Sequence, residues 1–239
     1  MNKNFKKLAV IIPAYNEQDN IAMVVNDILS IRHPGFQLSP IVVNDCSQDN
    51  TAAIVEKLDC VLLDLPVNLG IGGAVQTGYK YAYEHNFDYA IQVDGDGQHP
   101  AGEISKLLLE AEQTQANIII GSRFITNNGF QSTAMRRFGI VFLKSWIKLF
   151  SGITIYDNTS GFRLIDNKVL EVAQANYPDE YPEPESILLF SNKGFQIKEI
   201  PVLMKARQGG ESSITSFNQL YYMIKVSLAI FYTYLRTKK

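Results

Sequence analysis

Three observations predict an α/β fold in which a mostly parallel sheet carries helices on both faces. Short apolar runs recur along the first half of the chain, each followed by a segment with helical periodicity. Polar turns containing Asp, Asn, Ser or Gly close four of those runs, where open α/β sheets bind ligands. With 239 residues, 46% of them hydrophobic and 19% charged, the chain can bury a sizeable core and reads as one domain over 1–239. A formal net charge of −2 gives no electrostatic footprint for nucleic acid, and no nucleic-acid partner is expected. Cys46 and Cys60 are too few for a disulfide framework and fit a reduced, cytosolic compartment.

Residues 8–12 read as the first strand. The basic start before them resembles a signal peptide, but the apolar run stops at Pro13 and meets Asn16-Glu17 at once. Asp19 or Asn20 can cap a helix to about residue 31. A second strand is expected over 40–43, with a helix after Asp49-Asn50 to about residue 58. A third strand over 60–63 leads through Asn68-Leu69-Gly70-Ile71-Gly72-Gly73-Ala74 into a helix to about residue 84. That glycine turn fails as a dinucleotide fingerprint, because its third glycine position is Val75. Residues 89–93 form the fourth strand, Pro100 suits the first turn of a helix to about residue 115, and 117–120 form the fifth strand.

The fourth strand ends in Asp94-Gly95-Asp96-Gly97-Gln98-His99. Strand alternation would send both carboxylates to the same side, and the glycines permit turns that bring them together. Two hard anionic ligands suit Mg²⁺ or Mn²⁺ shared with a phosphate substrate, the alternative being a plain polar turn. His99 reads as serving that turn or the next helix start.

Beyond Arg123 the character changes. Residues 131–151 are helical, and Arg137, Lys144 and Lys148 share one face against Phe, Leu and Trp146. That pattern fits a helix in a membrane interface or a core helix with a solvated basic stripe. Residues 157–164 are small and polar, suited to a pocket floor. A helix follows from Tyr181-Pro182-Glu183-Pro184-Glu185 to about residue 193, then a last strand over 195–202. Residues 217–235 form an apolar helix that can dock on the core, pack in a homo-oligomer or lie on a bilayer. No stretch of about 20 residues is cleanly apolar, so no spanning helix is expected.

Taken together, the motifs resemble the family 2 glycosyltransferases with a GT-A fold, in the branch of dolichol-phosphate mannosyltransferase and bacterial polyprenyl-phosphate glycosyltransferases. The resemblance runs from Ile12 to about Ile214. It rests on Pro13-Ala14-Tyr15-Asn16-Glu17, Asn44-Asp45-Cys46-Ser47-Gln48-Asp49-Asn50-Thr51, the turn at 68–74 and Asp94-Gly95-Asp96. Gly121-Ser122-Arg123-Phe124, Thr159-Ser160-Gly161-Phe162-Arg163 and Arg207 with Gly210 and Ser212-Ser213 complete it. It implies a nucleoside-diphosphate sugar donor held by Pro13, Tyr15, Glu17, Asp45, Gly70, Gly73, Asp94 and Gln98. Asp94 and Asp96 match the pair that holds Mg²⁺ or Mn²⁺. The implied catalytic set is Asp96, Arg123, Glu183 and Glu185, and Arg136, Arg137, Arg163 and Arg207 would contact an acceptor phosphate. Asn44 stands where the family writes its first acid. Residues up to about 123 would bind the donor and those from about 124 the acceptor.

The expected reaction is sugar transfer with inversion to polyprenyl phosphate, by a protein peripheral on the cytoplasmic face of the plasma membrane. The alternative acceptor is a hydroxyl of a lipid-linked, capsular or cell-wall glycan, with Glu183 as general base. A non-catalytic nucleotide-binding protein is the reading from a different class.

Overall fold

A computed structural model describes residues 5–125, 134–204 and 218–237. The side chains of residues 134–138 and 218–222 lie outside that description. The strands are β1 (Lys6–Ala14), β2 (Phe36–Asn44), β3 (Val61–Asp64), β4 (Tyr89–Gln92), β5 (Ile118–Ser122), β6 (Arg163–Asp166) and β7 (Ile197–Pro201). They form one sheet in the order β3-β2-β1-β4-β6-β5-β7. The helices are α1 (Ile21–Ser30), α2 (Thr51–Val55), α3 (Gly70–Glu84), α4 (Ile104–Thr114), α5 (Ala134–Ser151), α6 (Asn167–Asn176), α7 (Pro182–Asn192) and α8 (Asn218–Thr237).

Alternate residues of the same strands feed two cores. Leu8, Val10, Ile12, Val42 and Ile91 pack beneath α1 and α4, and Ala9, Ile11, Ile41, Val43 and Ala90 pack against α3, α6 and α7. Burial on both faces explains the near-continuous apolar runs of β1 and β2. These strands extend further back than 8–12 and 40–43. Phe36, which opens β2, is buried edge-on against Tyr89, and Lys6, beside it in register, lies over both rings.

Two elements differ from the sequence reading. β6 and α6 fall where no regular element is expected, and β6 lies antiparallel between β4 and β5. Its four residues Arg-Leu-Ile-Asp are too few for a periodic signal, and the strand exists through its two neighbours. Asp166 both ends β6 and caps α6, its carboxylate accepting the Val169 N–H at 2.9 Å. Helix α2 stops at Val55 and runs out through turns to Leu58. Pro100 precedes a short 3₁₀ turn at Ala101–Glu103 before α4 begins.

The inserted β6 does not spoil the rim. Two successive antiparallel pairings leave β5 pointing the same way as β4. The carboxyl ends of β1, β2, β4 and β5 therefore share one edge with the start of β6. Helix α8 docks on the core through Val226, Ile230 and Thr233, while Ile224, Leu228, Phe231, Tyr232 and Leu235 stay exposed. Beside it α5 buries Leu143 and Ile147 and exposes Val141, Phe142 and Leu149. Trp146 donates its indole N–H to the Ser227 carbonyl and ties the two helices together. Among the described residues no helix is long and apolar enough to cross a membrane.

Candidate functional site

The turns after β1 and β2 are built as one unit. Asn16 and Cys46 both have left-handed backbone, φ +55° and +59°, a conformation that must be held in place. Asn16 N–H donates to Ser47 Oγ, Gln48 N–H to Asn16 Oδ1, and Glu17 N–H to Thr51 Oγ1, all within 2.9 Å. Burial pushes the Asp49 carboxyl up, but bonds from the Thr51 hydroxyl and neighbouring backbone N–H groups outweigh it, so its pKa lies below the usual value. Ser47, Asp49 and Thr51 thus latch the first turn, leaving Tyr15 half exposed on the rim. The Pro13 carbonyl and Glu17 Cγ close around Gly95, which joins this unit to the Asp94 loop.

Asp45 is buried, and its carboxylate accepts the N–H groups of Leu69 and Gly70 at 2.7 and 2.9 Å. It stabilises the N-terminus of α3, where a negative charge meets the helix dipole. Gly70 turns the chain with φ +76°, and Gly73 gives room to the Leu69 side chain. Asn44 is buried and donates to Asp64 Oδ1 at 2.6 Å. An acid at position 44 would set two carboxylates in contact there, which rationalises the amide.

Asp94 and Asp96 lie past the end of β4, so strand alternation does not orient them. The turn does so instead, with Gly97 at φ +74° and Gln98 N–H donating to Asp96 Oδ1 at 3.0 Å. Asp96 is buried, and the Asp94 side chain is 35% exposed on the rim. Gln92 Nε2 donates to Asp94 Oδ1 at 3.2 Å, and Asp94 N–H donates to His99 Nδ1 at 3.1 Å. His99 stacks on Phe162 at 4.8 Å, with Nε2 3.8 Å from Asp94 Oδ2. It serves the turn. Gly161 makes this packing possible, because a Cβ there would sit 2.5 Å from Gln92 Nε2.

These carboxylates fit a divalent ion of the Mg²⁺ or Mn²⁺ type. Among the described residues no group of three or more His, Cys, Asp or Glu could enclose a metal. Asp94 and Asp96 instead offer the one or two hard oxygen ligands with which such ions bind beside substrate phosphates.

The floor is held by two arginines. Arg123 forms a fork with buried Asp157, Nε to Oδ2 at 2.8 Å and Nη2 to Oδ1 at 2.7 Å, and also donates to Thr159. Burial opposes its charge, but Asp157 outweighs it and the guanidinium pKa is raised. Glu199 accepts the N–H groups of Tyr156 and Asp157 beneath. Arg163 is 4% exposed and spends its donors on Ser160 O at 2.7 Å, Glu183 O at 2.8 Å and Ser186 Oγ at 2.7 Å. The expectation that Arg163 contacts an acceptor phosphate is thus corrected: its fork points into the protein. Arg123 likewise is turned to Asp157.

Glu183 lies in the first turn of α7, where the charges of Arg163, Asp94 and Arg123 reach its carboxylate. Burial pushes its carboxyl up, Arg163 and Arg123 draw it down and Asp94 pushes it up again, leaving a net rise. Glu185 departs from expectation. It accepts the Thr233 hydroxyl of α8 at 3.0 Å and lines a groove of about 440 Å³ with Gln76, Tyr181 and Arg236, away from Asp94. Two residues further along a helix point elsewhere, so Glu183 and Glu185 cannot share the cleft. The side chains of Arg136 and Arg137, and all of Arg207, lie outside the described residues.

Sequence reasoning missed Gln92 and the pairing of Asp157, which it placed only in a pocket floor, with Arg123. A lone amide in the apolar run Tyr-Ala-Ile-Gln was the available signal for the first. Nothing local marks the fork of Asp157, whose partner Arg123 follows the end of β5.

Residues 9–173, more than half of the chain, match the family model described as Glycosyl transferase family 2. The polyprenol monophosphomannose synthase of Mycolicibacterium smegmatis is 28% identical over 234 residues, covering 93% of this chain and 86% of that protein. The UDP-N-acetylglucosamine–dolichyl-phosphate N-acetylglucosaminyltransferase of Methanococcus voltae is 28% identical over 217 residues, covering 82% and 85%. Glucosyl-3-phosphoglycerate synthase from Mycobacterium tuberculosis, solved with Mn²⁺, UDP-glucose and phosphoglyceric acid, superposes with a TM-score of 0.70 at 16% identity, covering 97% of this chain and 79% of that one. That likeness is one of fold, the GT-A arrangement of a mostly parallel sheet between helices. The chain belongs to glycosyl transferase family 2 and is a glycosyltransferase.

Proposed function

We propose that this glycosyltransferase moves a sugar from a nucleoside diphosphate to a polyprenyl phosphate at a membrane surface. The observation that carries the reading is its similarity, over more than four-fifths of its length, to two proteins named for polyprenol and dolichyl-phosphate acceptors. As a single domain, residues up to about 123 hold the donor and those from about 124 hold the acceptor.

Asp94 and Asp96 would hold Mg²⁺ or Mn²⁺, which when bound neutralises charge on the leaving diphosphate. Pro13, Tyr15, Glu17, Gly73 and Gln98 surround the nucleotide sugar, and Asp45 and Gly70 set the helix end beside it. The acceptor phosphate is already an anionic nucleophile and needs no base. Its oxygen bonds to the anomeric carbon on the face opposite the departing diphosphate, so configuration inverts. Arg136, Arg137 and Arg207 supply the planar forks that bind phosphate oxygens. Arg123 and Arg163 keep the floor in place.

The position of Glu183, with its raised pKa and Asp94 nearby, favours a second reading in which it deprotonates an acceptor hydroxyl. Glu183→Gln separates the two. With undecaprenyl phosphate, a nucleotide-sugar panel and Mn²⁺, we expect a lipid-extractable product and a loss of about tenfold for the variant, the scale of one hydrogen bond. A loss of about 10²–10⁴-fold, with donor binding intact, would favour the hydroxyl acceptor. In that case the rate also falls as pH drops through the Glu183 pKa, above the ordinary glutamate range.

The exposed side chains of α5 and α8, Phe142, Leu149, Leu228, Phe231 and Leu235, are read as the membrane contact, with Lys148 exposed among them. The double variant Leu228→Glu/Phe231→Glu is expected to stop sedimenting with anionic phospholipid vesicles while its nucleotide binding is kept. If the wild type ignores vesicles and the variant instead splits a dimer in gel filtration, this face joins two copies.

A further inference from the structure

Arg163 opens β6 and Arg123 follows the end of the neighbouring strand β5, yet their charges are handled differently. Arg123 is neutralised by the fork to Asp157. Among the described residues no carboxylate lies within ion-pair distance of Arg163. Its guanidinium is buried among neutral acceptors, and Asn158 O at 3.5 Å is its most distant one. Burying a cation with no carboxylate in ion-pair contact is costly even with the Glu183 charge in its field, and an apolar side chain of similar length would avoid that cost. Packing alone therefore does not account for it.

Its hydrogen bonds show what the cation holds. Nε reaches back to Ser160 O on the segment entering β6, while Nη1 reaches forward to Glu183 O and Ser186 Oγ on α7. Ser186 Oγ in turn donates to Glu183 O at 3.2 Å, so two groups converge on one carbonyl. That carbonyl belongs to the residue whose carboxylate feels the charges of Arg163, Asp94 and Arg123. Pro182 and Pro184 stand on either side of Glu183 in the first turn of α7, where N–H groups have no partner within the helix, so the turn is anchored by contacts from outside it. Tyr79 and Tyr177 wall the guanidinium from behind, packed edge to face at 5.1 Å.

We propose that Arg163 is the positioning residue for Glu183, clamping the first turn of α7 to β6 so that the Glu183 carboxylate stays aimed at the Asp94 end of the cleft. Arg163 touches no substrate in this account. The proposal rests on Glu183 taking part in transfer, under either acceptor reading. A lysine cannot replace the fork, because one ammonium does not span acceptors on both β6 and α7 at once.

The test is a double-mutant cycle on the full-length chain. Arg163→Lys is expected to lower kcat by no more than Glu183→Gln does, up to about tenfold with the phosphate acceptor, with the donor KM unchanged. Arg163→Met should fall further, so that lysine gives partial rescue. Ser186→Ala, a smaller change, should lower kcat by less than Arg163→Lys does, with the same unchanged donor KM. In a Glu183→Gln background, Arg163→Lys should have little further effect, because nothing remains to be aimed. A multiplicative double mutant, or Arg163→Lys and Ser186→Ala proteins that melt earlier but keep wild-type kcat per folded molecule, would overturn the proposal. Glu183→Gln alone with wild-type transfer would instead mean that the role given to Glu183 has failed.

Discussion

Asp94→Asn and Asp96→Asn are each expected to lower kcat/KM by about a thousandfold or more, since the charge stabilisation at stake is several kcal/mol. Both substitutions keep size and remove charge. Gln92 Nε2 can still donate to an amide oxygen at 94, and Gln98 N–H to one at 96, so the turn is retained. The fold should therefore survive and the loss should be one of function. A second readout does not depend on turnover. A ligand that binds only the folded protein raises its melting temperature, so nucleoside diphosphate with Mn²⁺ should stabilise the wild type more than either alone. That synergy should vanish in both variants. Its persistence in either one would remove that carboxylate from the metal set.

Asp157→Ala is expected to destabilise the protein by about 3–5 kcal/mol, because it leaves the Arg123 guanidinium buried without its partner. Asp157 is fully buried and accepts from Arg123 N, Nε and Nη2. For a chain of this length that is a fall in melting temperature of about 10 °C. Asp157→Leu combined with Arg123→Met removes both charges and should cost less than Asp157→Ala alone. Urea unfolding of the three proteins decides the matter. A single-variant cost under about 1 kcal/mol, the scale of an exposed pair, would show that the fork is not a structural staple.

How far the residues foretell this site depends on the range of the interactions that set it. The apolar runs of β1 and β2 announce buried parallel strands, and the glycines beside Asp94 announce a turn, because both signals are local. Strand β6 is different. Its four residues take their conformation from β4 and β5, more than 40 residues away in sequence. The arginines follow the same rule. Arg123 and Arg163 look like free phosphate ligands in sequence, and each is consumed by residues some 20 to 35 positions distant. Asp45 reads as a donor contact, while its visible partners are the N–H groups that open α3. The Pro-Glu-Pro-Glu string offers Glu183 as a base and Glu185 as a second residue of the same site. Only the docking of α8 turns Glu185 toward Thr233 and leaves Glu183 in the cleft.

The central claim is that the nucleophile is the phosphate of a polyprenyl carrier. The linkage in the product tests it most directly. After reaction of the wild type with undecaprenyl phosphate, an accepted nucleotide sugar and Mn²⁺, the lipid product is extracted for NMR. The account predicts an anomeric proton coupled to a single phosphorus, with the inverted configuration relative to the donor. An anomeric carbon joined to a hydroxyl oxygen, with the lipid phosphate left unmodified, would contradict it.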